Sequence, residues 1–238
     1  MIASKIEWCD FTWNPITGCL NGCSYCYARK MAQRLKGRYG YPADDPFRPT
    51  FHDDRMTEPV CLDLKGPFGS KPKIFICSMG DMFSEGVEAA WVNDILGMVQ
   101  YCTRLNFLVL TKRPDRILEL VHSTIPQNLW LGVSVTCQED AWRIEELKRV
   151  LPVSHKFVSF EPLHGPITAA DPGGIEWVIV GAETGNRKSK ILPELEWIID
   201  LVESAEKADV PVFLKDNLPE EIGSALGSHI QDFPGAMR

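Results

Sequence analysis

Six short apolar runs constrain this chain more than any other feature. They are Ile74–Cys77, Phe107–Leu110, Leu129–Val135, Phe157–Phe160, Trp177–Val180 and Val210–Leu214, all rich in β-branched and aromatic residues. Most lack strict apolar–polar alternation, as strands buried on both faces do. Between them the spacing predicts helices over 87–103, 114–122, 138–150 and 193–208. The segment Pro162–Gly174, with three Pro and three Gly, is expected to hold little helix. Repeated β/α units imply a parallel sheet with right-handed crossovers, and, closed or nearly closed, that sheet is a TIM-like (β/α) barrel.

Upstream of Lys73 the chain is less regular. Phe11–Gly18 reads as a short first strand whose pairing Pro15 makes irregular. A turn-rich loop follows, Cys19-Leu20-Asn21-Gly22-Cys23-Ser24-Tyr25-Cys26, and then a helix over Tyr27–Lys36 that Gly37 ends. Residues 38–72 form an irregular insertion with a short strand at Phe47–Phe51 and a short helix near Arg55–Leu62. Such a connection is either a lid or a plain surface insertion. At 238 residues the chain is long enough to bury one sizeable core, and no linker, low-complexity tract or repeat marks a second domain. A single domain over 1–238 is the expectation.

No apolar run approaches the roughly 18 residues of a membrane span, and the opening Met1–Trp8 has no signal-peptide core. The expected location is therefore cytoplasmic, with no membrane partner. The net charge of −7 argues against a large nonspecific nucleic-acid surface, while leaving room for a local basic one. Arg29, Lys30, Arg34, Lys36 and Arg38 are the candidate basic face, or else an ordinary solvated helix face.

Three of the 8 cysteines, Cys19, Cys23 and Cys26, fall within eight residues. Clustered thiols in a reducing compartment point to metal rather than to a disulfide, and this spacing suits three corners of a cubic [4Fe–4S] cluster with one corner left open. Structural zinc is the rival reading. It needs a fourth Cys or His, and the nearest downstream, His52 and Cys61, lie beyond a polar loop. Three ordinary buried cysteines are the remaining alternative, against which the loop-forming Gly18, Asn21 and Gly22 stand.

In barrels of parallel strands, chemistry gathers at the strands' C-terminal ends. The residues there are Ser78, Met79, Gly80 and Asp81 after the second strand, and Thr111, Lys112 and Arg113 after the third. Ser134, Thr136, Cys137 and Gln138 follow the fourth, Glu161 the fifth, Gly181, Glu183 and Thr184 the sixth, and Lys215 and Asp216 the seventh. Asp81 also has the form of a helix N-cap. Glu161 and Glu183 are the two carboxylates nearest the inferred mouth; a glycosidase uses such a pair, but that leaves the cysteine loop unexplained.

The cysteine loop, with an aromatic before its last cysteine, resembles the signature of radical S-adenosylmethionine (radical SAM) enzymes. Ser4–Trp8, Trp13–Cys19, Leu110–Pro114, Leu131–Val135, Val158–Leu163 and Val178–Glu183 together resemble a phage-associated family of radical-SAM-like proteins of largely unassigned substrate. The loop has a more distant likeness to spore photoproduct lyase. The resemblance implies an open, partial barrel, a [4Fe–4S] cluster on Cys19, Cys23 and Cys26, and SAM on its fourth iron. Reductive cleavage of SAM then gives a 5′-deoxyadenosyl radical that abstracts hydrogen from a substrate. It places Tyr25 beside the adenine, and Ser78, Gly80 and Asp81 against the methionine end, where this chain departs from the usual Gly-Gly-Glu-Pro. Lys112 or Arg113 falls to the SAM carboxylate or to an anionic group on the substrate, and Ser134 to the ribose. Glu161 and Glu183 fall to ribose or substrate, or else to structural salt bridges with Lys112, Arg113 or Lys215, the cation at the last strand end. Cys137 is either a hydrogen-atom donor or a small hydrophobe under its loop. The partners implied are an electron donor such as flavodoxin or ferredoxin and a substrate that is a nucleotide, a nucleic-acid base, a small metabolite or a peptide.

Overall fold

The computed structural model describes residues 1–65, 69–151, 153, 155–168, 171–185, 187–226 and 230–237. Parts of two sequence expectations, residues 66–68 of the insertion and 169–170 of the Pro162–Gly174 connection, lie outside the described residues. The chain is mixed α/β with mostly parallel strands. It divides into two compact units, Met1–Leu131 with Pro152–Ser154, and Gly132–Leu151 with His155–Arg238.

In the first unit the elements run β1 (Ile2–Ala3), β2 (Phe11–Trp13), β3 (Ile16–Thr17), α1 (Tyr27–Leu35), β4 (Thr50–Phe51), α2 (Glu58–Asp63), β5 (Lys73–Ile76), α3 (Ala89–Tyr101), β6 (Asn106–Thr111) and α4 (Ile117–Leu120). β2, β5 and β6 pair in parallel, Trp13 opposite Ile76 and Phe75 opposite Leu108. Trp13, Ile74, Ile76, Phe107, Leu108 and Val109 are wholly buried, as unalternating apolar runs require. α3 turns Val92, Ile95, Leu96 and Val99 inward, the one-face spacing of a helix on a sheet.

The expected first strand is split. β2 stops before Asn14-Pro15, and β3 pairs antiparallel with β4, Ile16 opposite Phe51. Pro15 has no N–H to give a ladder. Its carbonyl instead accepts the His52 N–H at 2.8 Å, and the Asn14 side chain turns to the loop after β5. β1 lies antiparallel on β2, an element that the sequence reading does not foresee.

β7 (Leu129–Ser134) carries the chain from the first unit into the second, which continues with α5 (Trp142–Arg149), β8 (His155–Phe160), β9 (Trp177–Val180), α6 (Leu195–Lys207), β10 (Val212–Leu214) and α7 (Glu220–Ala225). β8, β9 and β10 are parallel, Val158 opposite Val178 and Ile179 opposite Phe213. Around Trp177 gather Phe157, Phe213 and Phe233, with ring centroids 5.8, 6.0 and 5.3 Å away. α6 buries Ile198, Leu201, Val202 and Ala205, again one face. As expected, the described residues between β8 and β9 form no helix. No helix among the described residues is long and apolar enough to cross a membrane.

Candidate metal and cofactor site

The cysteine loop leaves β3 through Gly18, whose φ of +84° is open to glycine at no steric cost. A Cβ there would lie 2.2 Å from the Arg48 carbonyl oxygen, so the approach of the insertion to the loop itself depends on glycine. The loop ends at Cys26, the residue preceding α1, where its thiol accepts the Arg29 N–H at 3.3 Å. Cys19 likewise accepts the Asn21 N–H at 3.3 Å. The first turn of α1 carries no acidic residue, so the positive end of its dipole faces the thiols unopposed. Cys19 and Cys26 pack against Ala28, Ala32, Tyr41 and Phe47, and Arg29 lies over the Phe47 ring at 4.7 Å.

A second segment is drawn against this loop. Cys77, buried at the end of β5 with φ +59°, turns the chain in the left-handed region that a non-glycine residue rarely occupies. Ser78–Asp81 then runs alongside the cysteine loop. Gly18 N–H donates to the Met79 carbonyl at 2.9 Å, and Asn14 Oδ1 accepts from Met79 N–H at 2.8 Å and from the Ser78 hydroxyl at 3.2 Å. The Tyr27 hydroxyl donates to the Ser78 carbonyl.

Asp81 ties the arrangement together. Only 5% exposed, its carboxylate accepts from Asn21 Nδ2 (2.8 Å), the Thr111 hydroxyl (2.8 Å), the Lys112 N–H (3.0 Å) and the Phe83 N–H (3.0 Å). One side chain thus joins the cysteine loop, the turn after β5 and the end of β6. It does not cap the next helix, α3, whose N-cap is Glu88. Lys112, placed by that bond, holds its ammonium 5.4 Å from the centroid of the Tyr25 ring.

Arg113 turns elsewhere, to a paired contact with Asp115 and to Glu85, which together hold its guanidinium in the charged form more firmly than usual. Burial first, and then the Asp81 carboxylate, push the Cys19 thiol up to about 11; Cys23 is close enough to add to the rise. Among the described residues no three His, Cys, Asp or Glu side chains already stand together as a metal site. By donor chemistry the loop still suits iron and sulfide: three soft thiol donors, none in a disulfide and all partly exposed, at the N-terminus of a nine-residue helix. The zinc candidates fit less well, since His52 is bonded to the Thr17 hydroxyl at 2.7 Å and Cys61 is exposed on α2.

The strand ends of the second unit are ion-paired. Glu161 pairs with the buried Lys215, and Gly181 leaves room for them, since a Cβ there would come within 2.9 Å of Lys215 Cδ and 3.2 Å of Glu161 Cδ. Glu183, 3% exposed, receives Arg187 Nε at 2.7 Å and Nη2 at 2.6 Å, with His164 Nε2 3.3 Å away; Arg187 foremost holds its carboxyl below the usual range. The Ser134 carbonyl accepts Arg143 Nη1 at 2.8 Å. Cys137 is half-buried, and burial raises its thiol pKa.

Sequence reasoning missed Asn14, Asn21, Arg187 and His164. For Arg187 the signal was present as the i, i+4 spacing from Glu183. For the asparagines there was none beyond their turn chemistry.

Compared with models of known families, residues 3–219 match the one described as "Protein of unknown function (DUF5131)". No curated protein and no solved structure matches.

Proposed function

The chain belongs to the DUF5131 family, whose description carries no activity, and we propose from its own residues that it is a radical SAM enzyme. On this reading Cys19, Cys23 and Cys26 hold a [4Fe–4S] cluster in a partial (β/α) barrel over residues 1–238, in the cytoplasm. A bound cluster of this kind supplies one electron that cleaves SAM to a 5′-deoxyadenosyl radical, which takes hydrogen from the substrate. The observation that carries the reading is the joining of the cysteine loop, Ser78–Asp81 and Lys112 through the buried Asp81.

The chain's own residues then divide the work. The N–H groups that open α1 favour negative charge on Cys26. The carbonyls of Ser78–Gly80 are the acceptors for the SAM ammonium, because Asp81, with four donors already, has its lone pairs committed. Asp81 acts instead by fixing Lys112 and the loop. Lys112 offers its ammonium to the SAM carboxylate beside Tyr25, which borders the adenine. In the second unit Ser134, Glu161 and Glu183 are the candidates for ribose and substrate, Lys215 holds Glu161, and Cys137 is the candidate hydrogen donor. A flavodoxin- or ferredoxin-like protein supplies the electron.

The test is anaerobic reconstitution with iron and sulfide, followed by SAM and dithionite. Wild-type protein is expected to bind about four irons per chain and to form 5′-deoxyadenosine, and Cys23→Ala to do neither. Fully iron-loaded protein that leaves SAM intact overturns the reading, as does a preparation holding one zinc and refusing iron.

A further inference from the structure

No aspartate or glutamate occurs from Phe11 to Ala43, yet this stretch holds Arg29, Lys30, Arg34, Lys36 and Arg38. The rest of the chain carries 20 basic against 32 acidic residues, so a wholly cationic segment sits in an acidic protein. The helix dipole accounts for Arg34 in the last turn of α1 and favours Lys36 at its C-terminus, but it does not call for Lys30 or Arg38, and the first turn holds none of the acids it would favour.

The structure sorts these cations. Arg29 is spent within the protein, over Phe47 and against the Cys19 carbonyl. Lys30, Arg34, Lys36 and Arg38 are exposed, with Arg38 folded back onto the Arg34 carbonyl at 2.6 Å. α1 buries Ala28 and Ala32, so the spacing puts Lys30 and Arg34 on the opposite face, with Tyr27 beside them and Met31 at the flank. Tyr27 is 51% exposed at its start, and Tyr39, just beyond Arg38, is 75% exposed. Exposed cations flanked by aromatic rings that are half or more exposed match a nucleic-acid strand, whose phosphates meet the cations while its unpaired bases stack on the rings. A duplex hides its base faces, so exposed rings beside the cations favour a single strand over a duplex.

We propose that this face, from the cysteine loop along α1 to Tyr39, docks single-stranded nucleic acid. The proposal bears on the substrate of the chemistry proposed above without depending on the cluster.

The experiment is a fluorescence-anisotropy titration of the full chain with a fluorescein-labelled single-stranded oligonucleotide of mixed sequence, repeated across a salt series. Binding is expected, with a logarithmic salt slope of about −3, the value for four phosphates on a single strand. Lys30→Glu/Arg34→Glu/Arg38→Glu should weaken it at least tenfold and flatten the slope. Tyr39→Asn, which suits the φ of +51° at that position, should weaken it about fivefold or more with the slope kept. Both variants change exposed side chains, and an unaltered urea transition establishes that they are folded. Absence of binding at low salt overturns the proposal. So does equal competition by a duplex or by polyglutamate, which marks a generic polyanion or acidic-protein surface, and so does undiminished binding by the triple reversal. Because no SAM or iron is added, the outcome stands apart from that of the deoxyadenosine assay.

Discussion

Asp81→Asn preserves size while turning one acceptor oxygen into an N–H₂ group that faces donors. The four bonds to Asn21, Thr111, Lys112 and Phe83 cannot all survive it. A loss of about 2 kcal/mol in urea unfolding is expected, typical for a buried group bonded to a charge. Adding Asn21→Asp restores one acceptor opposite the new amide and should recover about 1 kcal/mol, a coupling that a solvated carboxylate would not give. His52 gives a pH signature. Its imidazole is buried, and burial, with Arg55 beside it, lowers its pKa from 6.5 to about 4. The unfolded chain therefore takes up a proton that the fold refuses. Stability conferred by the neutral ring is complete above pH 6.5 and is lost as pH falls to about 4, on the order of 3 kcal/mol in all. Urea denaturation of His52→Gln should be flatter with pH than wild type across that window; parallel curves refute a buried neutral ring.

At the scale of elements, the cysteine loop separates two uses of glycine. Gly18 and Gly22 both have positive φ, +84° and +73°, but a Cβ at Gly18 strikes the Arg48 carbonyl at 2.2 Å while one at Gly22 meets nothing within 4 Å. Gly22→Ala should cost about 1–2 kcal/mol of backbone strain. Gly18→Ala adds displacement of the 47–48 backbone and should cost clearly more, which the same denaturation series reads. The strands were legible because burial on both faces writes itself as an apolar run: Trp177–Val180 was placed to the residue, and Phe107–Leu110 within one at each end. Helices opening with polar turns were less so. The expected 138–150 helix is a short 3₁₀ turn and then Trp142–Arg149, because Asp140 bends back to the Thr136 hydroxyl at 2.8 Å. Pro114 similarly opens a 3₁₀ turn before α4. β1 is two exposed residues, a strand only through its pairing with β2, and α7 has six residues. In the site, residue types were legible and partners were not. That Asp81 would bind four donors, or that Arg113 would turn to Asp115 while Lys112 turned to Tyr25, depends on backbone paths between distant segments.

At the scale of the whole molecule, the question is whether the cysteines hold the fold or serve it. A structural zinc site stabilises a domain that cannot fold without metal. Here each unit has a core of its own: Trp13, Ile76, Ile95 and Phe107 in the first, and Phe157, Trp177, Phe213 and Val202 in the second, all at least 96% buried. Among the buried apolar residues, Cys19 and Cys26 pack against the small cluster of Ala28, Ala32, Tyr41 and Phe47. Removing the thiols should therefore cost the contacts of Cys26 to the Arg29 N–H and of Cys19 to the Asn21 N–H, with some packing of both, about 2 kcal/mol together. The Cys19→Ala/Cys23→Ala/Cys26→Ala chain, and wild type stripped with a chelator, are both expected to unfold cooperatively in urea with near-native circular dichroism and no iron uptake by the variant. Collapse of both returns the loop to a structural metal. Folding without metal, combined with iron uptake by wild type alone, leaves the loop free for cofactor chemistry.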